Sequence, residues 1–220
     1  YLKPLATGER LGAYALTEPD SGSDAATLNT VYTDRGDHFE LNGAKVFVTN
    51  GRYAQVVVVY ATVNKELKHK GIAGFIVEPG FPGFQWGKTE HKLGINASST
   101  TEIILKNCRV PKENLLGQEG KGFNVALETL DGGRIGIAAQ ALGIGRAALE
   151  AGVRHVKLRE QFGAPLAKLQ AIQWMIADAA TELEAAELLM IRAARLKDQG
   201  TTRYTKEAAM AKLYASETAM

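Results

Sequence analysis

The hydrophobic period of this chain changes once, near Gly117, and that change limits what the chain can fold into. Ahead of it, short apolar runs are broken every few residues by turn-forming clusters, as in a sheet of short strands. Beyond it, Phe123, Leu127 and Leu130 recur at helical spacing, and Ala, Leu, Glu and Lys dominate to the end. An α+β chain is therefore expected, with a β-sandwich or barrel-like domain over residues 1–117 and a long-helix bundle over residues 118–220. Helices are expected over residues 121–161, 166–197 and from 205 onward, with Pro165 suited to a helix start and Gly200 to a stop. A helix of roughly thirty residues runs on the order of 50 Å and needs a bundle to bury it.

Within the first part, Ala13 to Leu16 reads as a strand end. Val56-Val57-Val58-Val59-Tyr60 is a β-branched run of the kind found in buried strands. Asn42-Gly43, between Phe39-Glu40-Leu41 and Lys45-Val46-Phe47-Val48, predicts the two-residue turn of a hairpin. Residues 72–77, 84–86 and 101–105 read as further strands.

Composition removes several function classes. A formal net charge of +2 supplies no field for nucleic acid or an anionic membrane. The four histidines are scattered and the lone Cys108 pairs with none of them at ligand spacing, so no metal site is expected. A single cysteine allows no internal disulfide and points to a reducing compartment. No apolar run reaches the length of a membrane span. The first residue is Tyr1 and the last helical pattern has no stop signal, so a piece of a longer protein is expected.

Three stretches carry chemistry. Tyr14 to Asp24 runs from the strand end into a loop dense in hydroxyls and backbone N–H groups, at Thr17, Ser21, Gly22 and Ser23. Such a loop is a solvated turn or a cradle for a phosphate or the polar edge of a ring. Thr49, at a strand tip before Asn50-Gly51, is placed to aim its hydroxyl into a cleft. Asp131 and Arg134, three apart on a helix, read as a local ion pair. Gly143-Ile144-Gly145-Arg146-Ala147-Ala148 imitates a dinucleotide fingerprint, but helix lies on both sides where a strand is required, so it reads as close packing by small residues.

Four separated segments, in order, resemble the acyl-CoA dehydrogenases, flavoenzymes that oxidise acyl-CoA thioesters. Thr17-Glu18-Pro19 through Gly22-Ser23-Asp24 is similar to their Thr-Glu-Pro-x-x-Gly-Ser-Asp signature, with Thr27 where a smaller residue is usual. Lys45-Val46-Phe47-Val48-Thr49-Asn50 is similar to Lys-x-Trp-Ile-Thr-Asn, with Phe for Trp. Leu130-Asp131-Gly132-Gly133-Arg134 through Gly143 resembles the bacterial butyryl-CoA members, and Arg159-Glu160-Gln161-Phe162-Gly163 resembles the Arg-x-x-Phe-Gly segment. The likeness spans nearly the whole chain and implies a middle β-domain and part of a C-terminal four-helix bundle, with the N-terminal helical domain missing.

The resemblance implies FAD as cofactor, held by Tyr14, Leu16, Thr17, Gly22, Ser23, Phe47, Val48 and Thr49. In it Phe47 packs on the flavin ring, Thr49 hydrogen-bonds N5 and Thr17 serves the pyrimidine side. Arg159, Phe162 and Gln170 reach the FAD of a neighbouring subunit, at the pyrophosphate, the adenine and by a hydrogen bond. Ser23, Asp131 and Arg134 contact the CoA thioester. The implied reaction is α,β-dehydrogenation of a short-chain acyl-CoA, with electrons passed to an electron-transfer flavoprotein. A homotetramer in the bacterial cytoplasm or mitochondrial matrix is implied. A carboxylate must take the α-proton. Gly133 stands at one of the two places where the family carries it, and no Tyr-Glu-Gly-Thr occurs, so the base is expected beyond Met220. Two other readings stay open: an oxidase or flavin monooxygenase of the same fold, and a non-catalytic flavin- or CoA-binding module.

Overall fold

Val56 to Tyr60 lies in the most enclosed strand of the fold, as its composition requires. In the computed structural model, which describes residues 1–220, strands β1 (Gly12–Ala15), β2 (Val31–Asp34), β3 (His38–Thr49), β4 (Val56–Thr62), β5 (Ile72–Val77), β6 (Phe84–Thr89), β7 (Thr100–Pro111) and β8 (Leu115–Leu116) form one sheet. Its order is β6-β7-β3-β2-β4-β5-β8, and β1 pairs in parallel with β4. One apolar cluster takes buried side chains from β1 to β7, such as Tyr32, Phe39, Leu41, Val57, Phe75 and Ile103, and half-buried Leu115 of β8 packs against it. Tyr32, Phe39 and Phe75 meet edge to face with centroids 5.0–5.8 Å apart, the arrangement that ring quadrupoles favour. A short helix, α1 (Leu2–Thr7), precedes β1.

The hairpin expected at Asn42-Gly43 is not there. β3 runs unbroken through both residues, and the pairing with β7 slips between Leu41 and Gly43 instead. Gly43 has φ 153°, and a Cβ on it would lie 2.4 Å from Thr30 Oγ1 and 2.6 Å from Thr30 Cα. The glycine is needed for a bulge and for the close approach of Thr30, just before the neighbouring strand, which is the other meaning of Gly inside a strand. The true turn is Asp34-Arg35-Gly36-Asp37-His38, between β2 and β3. There the Gly36 amide donates to Asp34 Oδ1 at 2.8 Å and the Arg35 amide to the His38 carbonyl at 2.9 Å.

The helices are α2 (Gly122–Leu158), α3 (Gln170–Asp198) and α4 (Thr205–Thr218). Gly132 and Gly133 do not interrupt α2. The chain divides into two compact units, residues 1–127 and 128–220, so the division falls inside α2, beyond the change of period at Gly117. The change of period marks where the helix signal begins, not where packing ends. A Cβ on Gly122 would lie 2.5 Å from the Ala73 carbonyl carbon, and Tyr14 Oη donates to the Ala126 carbonyl at 3.2 Å, so the first turns of α2 belong to the sheet. In the second unit α2, α3 and α4 share a core of small residues, Ala138, Ala186, Ala193, Ala211 and Ala215 with Leu142 and Leu183. A Cβ on Gly145 would meet Leu183 Cδ2 at 2.9 Å, so part of the Gly-x-Gly stretch serves helix packing. Beyond the end of α3, Gly200 has φ 70°, with the Thr201 amide on Leu196 O and the Gly200 amide on Lys197 O, both at 3.0 Å. This is a Schellman cap.

Between α2 and α3, β9 (Glu160–Gln161) pairs with β10 (Ala164–Pro165). Phe162 and Gly163 form the two-residue turn, with φ of 53° and 77°, the positive values that a tight hairpin turn requires.

Candidate functional site

The loop after β1 is closed on itself. The Glu18 amide donates to Ser21 O at 2.9 Å and the Ser21 amide to Glu18 O at 3.2 Å. Ser21 Oγ donates to Asp24 O at 2.8 Å. The amides of Glu18 and Ser21 are thus spent within the turn, and Gly22 and Ser23 form its exposed face. No atom lies within 4 Å of where a Cβ on Gly22 would be. Tyr14 packs its ring on Tyr60 at 5.3 Å, and burial and Tyr60 raise its phenol pKa, so the hydroxyl stays a donor. Leu16 is buried.

Strand β3 turns the other part of the site outward. Its pairing with β7 slips again between Lys45 and Val48, and at the slip Phe47 has φ 57°. A bulky residue rarely holds such a backbone, and outliers of this kind cluster at ligand clamps. The bulge leaves the Phe47 ring 64% exposed, while the Val48 side chain is buried in the core. Val48 as a whole is 1% exposed, and its carbonyl accepts from the Gly51 amide at 3.1 Å, so it offers no open group for the cofactor contact expected of it. Thr49 is exposed beyond it. The Val46 amide donates to Thr17 O at 2.9 Å, which sets half-buried Thr17 beside the strand that carries Phe47. The Asn50 amide donates to Ser99 O at 2.9 Å, and Ser99 Oγ is buried with no partner.

The second unit holds a cleft of about 590 Å³ lined by Glu128, Asp131, Lys197, Thr201, Thr202 and Tyr204 among others. Asp131 Oδ1 accepts from Arg134 at 2.5 Å and Oδ2 from Thr205 Oγ1 at 2.6 Å. Burial, then the Asp131 and Glu128 carboxylates, raise the Tyr204 phenol. Arg159 and Phe162 lie in the β9–β10 hairpin, where the Phe162 ring is 93% exposed at the tip. The Arg159 amide and carbonyl are both bonded, to His155 O and the Leu166 amide at 2.8 Å, while its side chain is exposed. Gln170, also exposed, is the first residue of α3.

Sequence reasoning missed a buried ion pair beside the loop. Lys45 Nζ lies 2.7 Å from Glu18 Oε1, with the two side chains 0% and 1% exposed. The carboxylate also accepts from the Asn29 and Thr30 amides. Two charged residues 27 positions apart carry no sequence signal that they are buried together. Burial pushes the Lys45 ammonium down to about 8, with Glu18 opposing the shift.

Residues 13–108 match the acyl-CoA dehydrogenase middle-domain family model, and residues 120–220 match the acyl-CoA dehydrogenase C-terminal-domain model. The chain is 51% identical over 220 residues to the short-chain specific acyl-CoA dehydrogenase of Clostridium acetobutylicum, covering 100% of this chain and 58% of that protein. The solved structure of butyryl-CoA dehydrogenase from Megasphaera elsdenii superposes with a TM-score of 0.97 at 48% identity, covering 99% of this chain and 57% of that one. A chain in a structure concerned with the electron transferring flavoprotein of Acidaminococcus fermentans and flavin-based electron bifurcation gives 0.96 at 52% identity, with 99% and 57% covered. The chain spans somewhat more than half the length of the relatives it matches. No helix is long and apolar enough to cross a membrane.

Proposed function

Because the chain belongs to the acyl-CoA dehydrogenase family, we propose that the complete protein binds FAD and dehydrogenates a short-chain acyl-CoA to the trans-2-enoyl-CoA. The observation that carries the reading is the exposed Phe47 ring, held outward by a positive-φ bulge beside Thr17 and Thr49. These residues fit a flavin: a free π-face for the ring system, two hydroxyls for its polar edges, and an open glycine and serine in the loop. FAD, when bound, supplies the hydride acceptor. Phe47 orients the ring, Thr17 and Thr49 hydrogen-bond its edge, and the Gly22-Ser23 face takes a polar group by its main chain and hydroxyl.

In this reading residues 1–117 act as the middle domain and residues 118–220 as part of the C-terminal bundle. Ser23, Asp131 and Arg134 hold the thioester substrate, with Asp131 fixing the Arg134 guanidinium. Arg159, Phe162 and Gln170 serve the FAD of a neighbouring copy, which asks for at least a dimer, and a homotetramer is the proposed state. Reduced enzyme passes its electrons to an electron-transfer flavoprotein, as the A. fermentans likeness supports. The α-proton goes to a glutamate supplied beyond Met220. Position 133 is a glycine, and Asp131 is already engaged by Arg134 and Thr205.

The test is anaerobic titration of the complete flavin-loaded protein with butyryl-CoA. Bleaching of the flavin absorbance and crotonyl-CoA as product are expected. No bleaching would leave a binding module, and oxygen uptake at turnover rate would make the enzyme an oxidase.

A further inference from the structure

Glu18 and Lys45 each lie within two residues of the proposed flavin face: Glu18 follows Thr17, and Lys45 stands two before Phe47. The Lys45 ammonium donates to Glu18 Oε1 at 2.7 Å and to Leu16 O at 3.1 Å. One cation therefore holds the carbonyl before Thr17 and the side chain after it. The carbonyl of Thr17 itself accepts from the Val46 amide. On the far side the Glu18 carboxylate is tied to the Thr30 amide at 3.0 Å. The bulge at Phe47 interrupts the register with β7 between Lys45 and Val48. The ladder that fixes the rest of β3 is lost where the ring projects, and the ion pair lies at the edge of that gap.

Stability alone does not account for the pair. A buried ion pair can often be replaced by apolar side chains of similar volume with no loss, because desolvation offsets the attraction. Apolar contacts are non-directional and would not set the height of a loop against a strand, whereas hydrogen bonds from one ammonium to two defined oxygens do. We infer that the Glu18–Lys45 pair is a positioning device for the flavin face, acting on cofactor binding through Thr17 and Phe47 without touching the cofactor. The inference rests on the flavin reading above.

The test uses the full-length protein, stripped of FAD and reconstituted. The double variant Glu18→Gln/Lys45→Met removes both charges, and Leu41→Ala, a core cut in the same strand, is the control. The double variant is expected to keep the thermal midpoint of the apoprotein within about 5 °C and to raise the FAD dissociation constant about tenfold or more, with loss of fine structure in the bound flavin spectrum. Leu41→Ala is expected to lower the midpoint and leave FAD affinity within about twofold, since it leaves the pair intact. Wild-type affinity and spectrum in the double variant would overturn the inference. Should that variant not fold, Glu18→Asp carries the test: it keeps the charge but cannot span Lys45 and the Thr30 amide together, and unchanged FAD affinity overturns the inference. Failure of all these variants to fold even with excess FAD would make the pair a core staple and overturn it too. Wild-type protein that takes up no FAD would instead remove the flavin reading, and this inference with it.

Discussion

Asp131 and Arg134 form an i,i+3 ion pair at 2.5 Å in which the carboxylate is largely enclosed and the guanidinium is 38% exposed. The pair is asymmetric: Asp131 is anchored a second time by Thr205, while Arg134 keeps donors free for a ligand. Replacing Arg134 by Ala in the complete enzyme is expected to lower kcat/KM for butyryl-CoA by about 10- to 100-fold, the loss of one charge-assisted hydrogen bond. Lys is expected to restore little, because a point charge does not reproduce the fork. Steady-state kinetics with a matched thermal melt checks this.

Arg159 offers a cleaner case, because its backbone is bonded and its side chain is free. Arg159→Ala is expected to leave the melting temperature nearly unchanged and to weaken FAD binding about tenfold or more. Apoprotein reconstitution followed by flavin fluorescence measures both. Unchanged FAD affinity would remove Arg159 from the site.

Gly43 gives a prediction about stability alone. Alanine there would bring a methyl group to 2.4 Å from Thr30 Oγ1 and 2.6 Å from its Cα, at a φ that side chains avoid. A loss of about 2–4 kcal/mol is expected from overpacking and backbone strain together. Urea unfolding should show a lower midpoint with the same slope.

The buried pair predicts an acid dependence. Burial raises the Glu18 carboxyl, but the Lys45 charge and the Lys45, Thr30 and Asn29 hydrogen bonds outweigh it, so its pKa lies below the usual 4.5. The unfolded chain then binds more protons in the acid range, and the stabilisation is present above about pH 4.5 and lost as pH falls through the folded value. Glu18→Gln is expected to flatten that limb of the stability curve and to lower the neutral plateau by about 3–5 kcal/mol, since Lys45 is left buried without its partner. Denaturant melts from pH 3 to pH 8 separate the two effects.

The strand and helix halves were legible because each rests on a local period, as in Val56–Tyr60 and in the Ala-rich stretch after Gly133. Asn42-Gly43 misled for a physical reason. The same dipeptide suits a turn and a bulge, and the choice was made by Thr30, which lies against Gly43 just before the neighbouring strand β2 and has no place in a local pattern. Motif wording singled out Phe47 and Thr49 as candidates, but the bulge that exposes one ring and buries Val48 beside it was not readable. Nor was the Glu18–Lys45 contact, since charged side chains read as solvated until the fold closes over them. The hairpin that carries Phe162 was not readable either, since Glu160-Gln161 read as the end of a helix and residues 162–165 as the gap before the next.

That hairpin has a genetic consequence. If Phe162 and Arg159 complete another copy's cofactor site, each site is encoded in halves on two chains. Two defective alleles, one altered at Thr17 or Phe47 and one at Arg159, would then complement each other when co-expressed. Mixed assemblies would contain some sites with both halves intact, although neither parent assembly contains any.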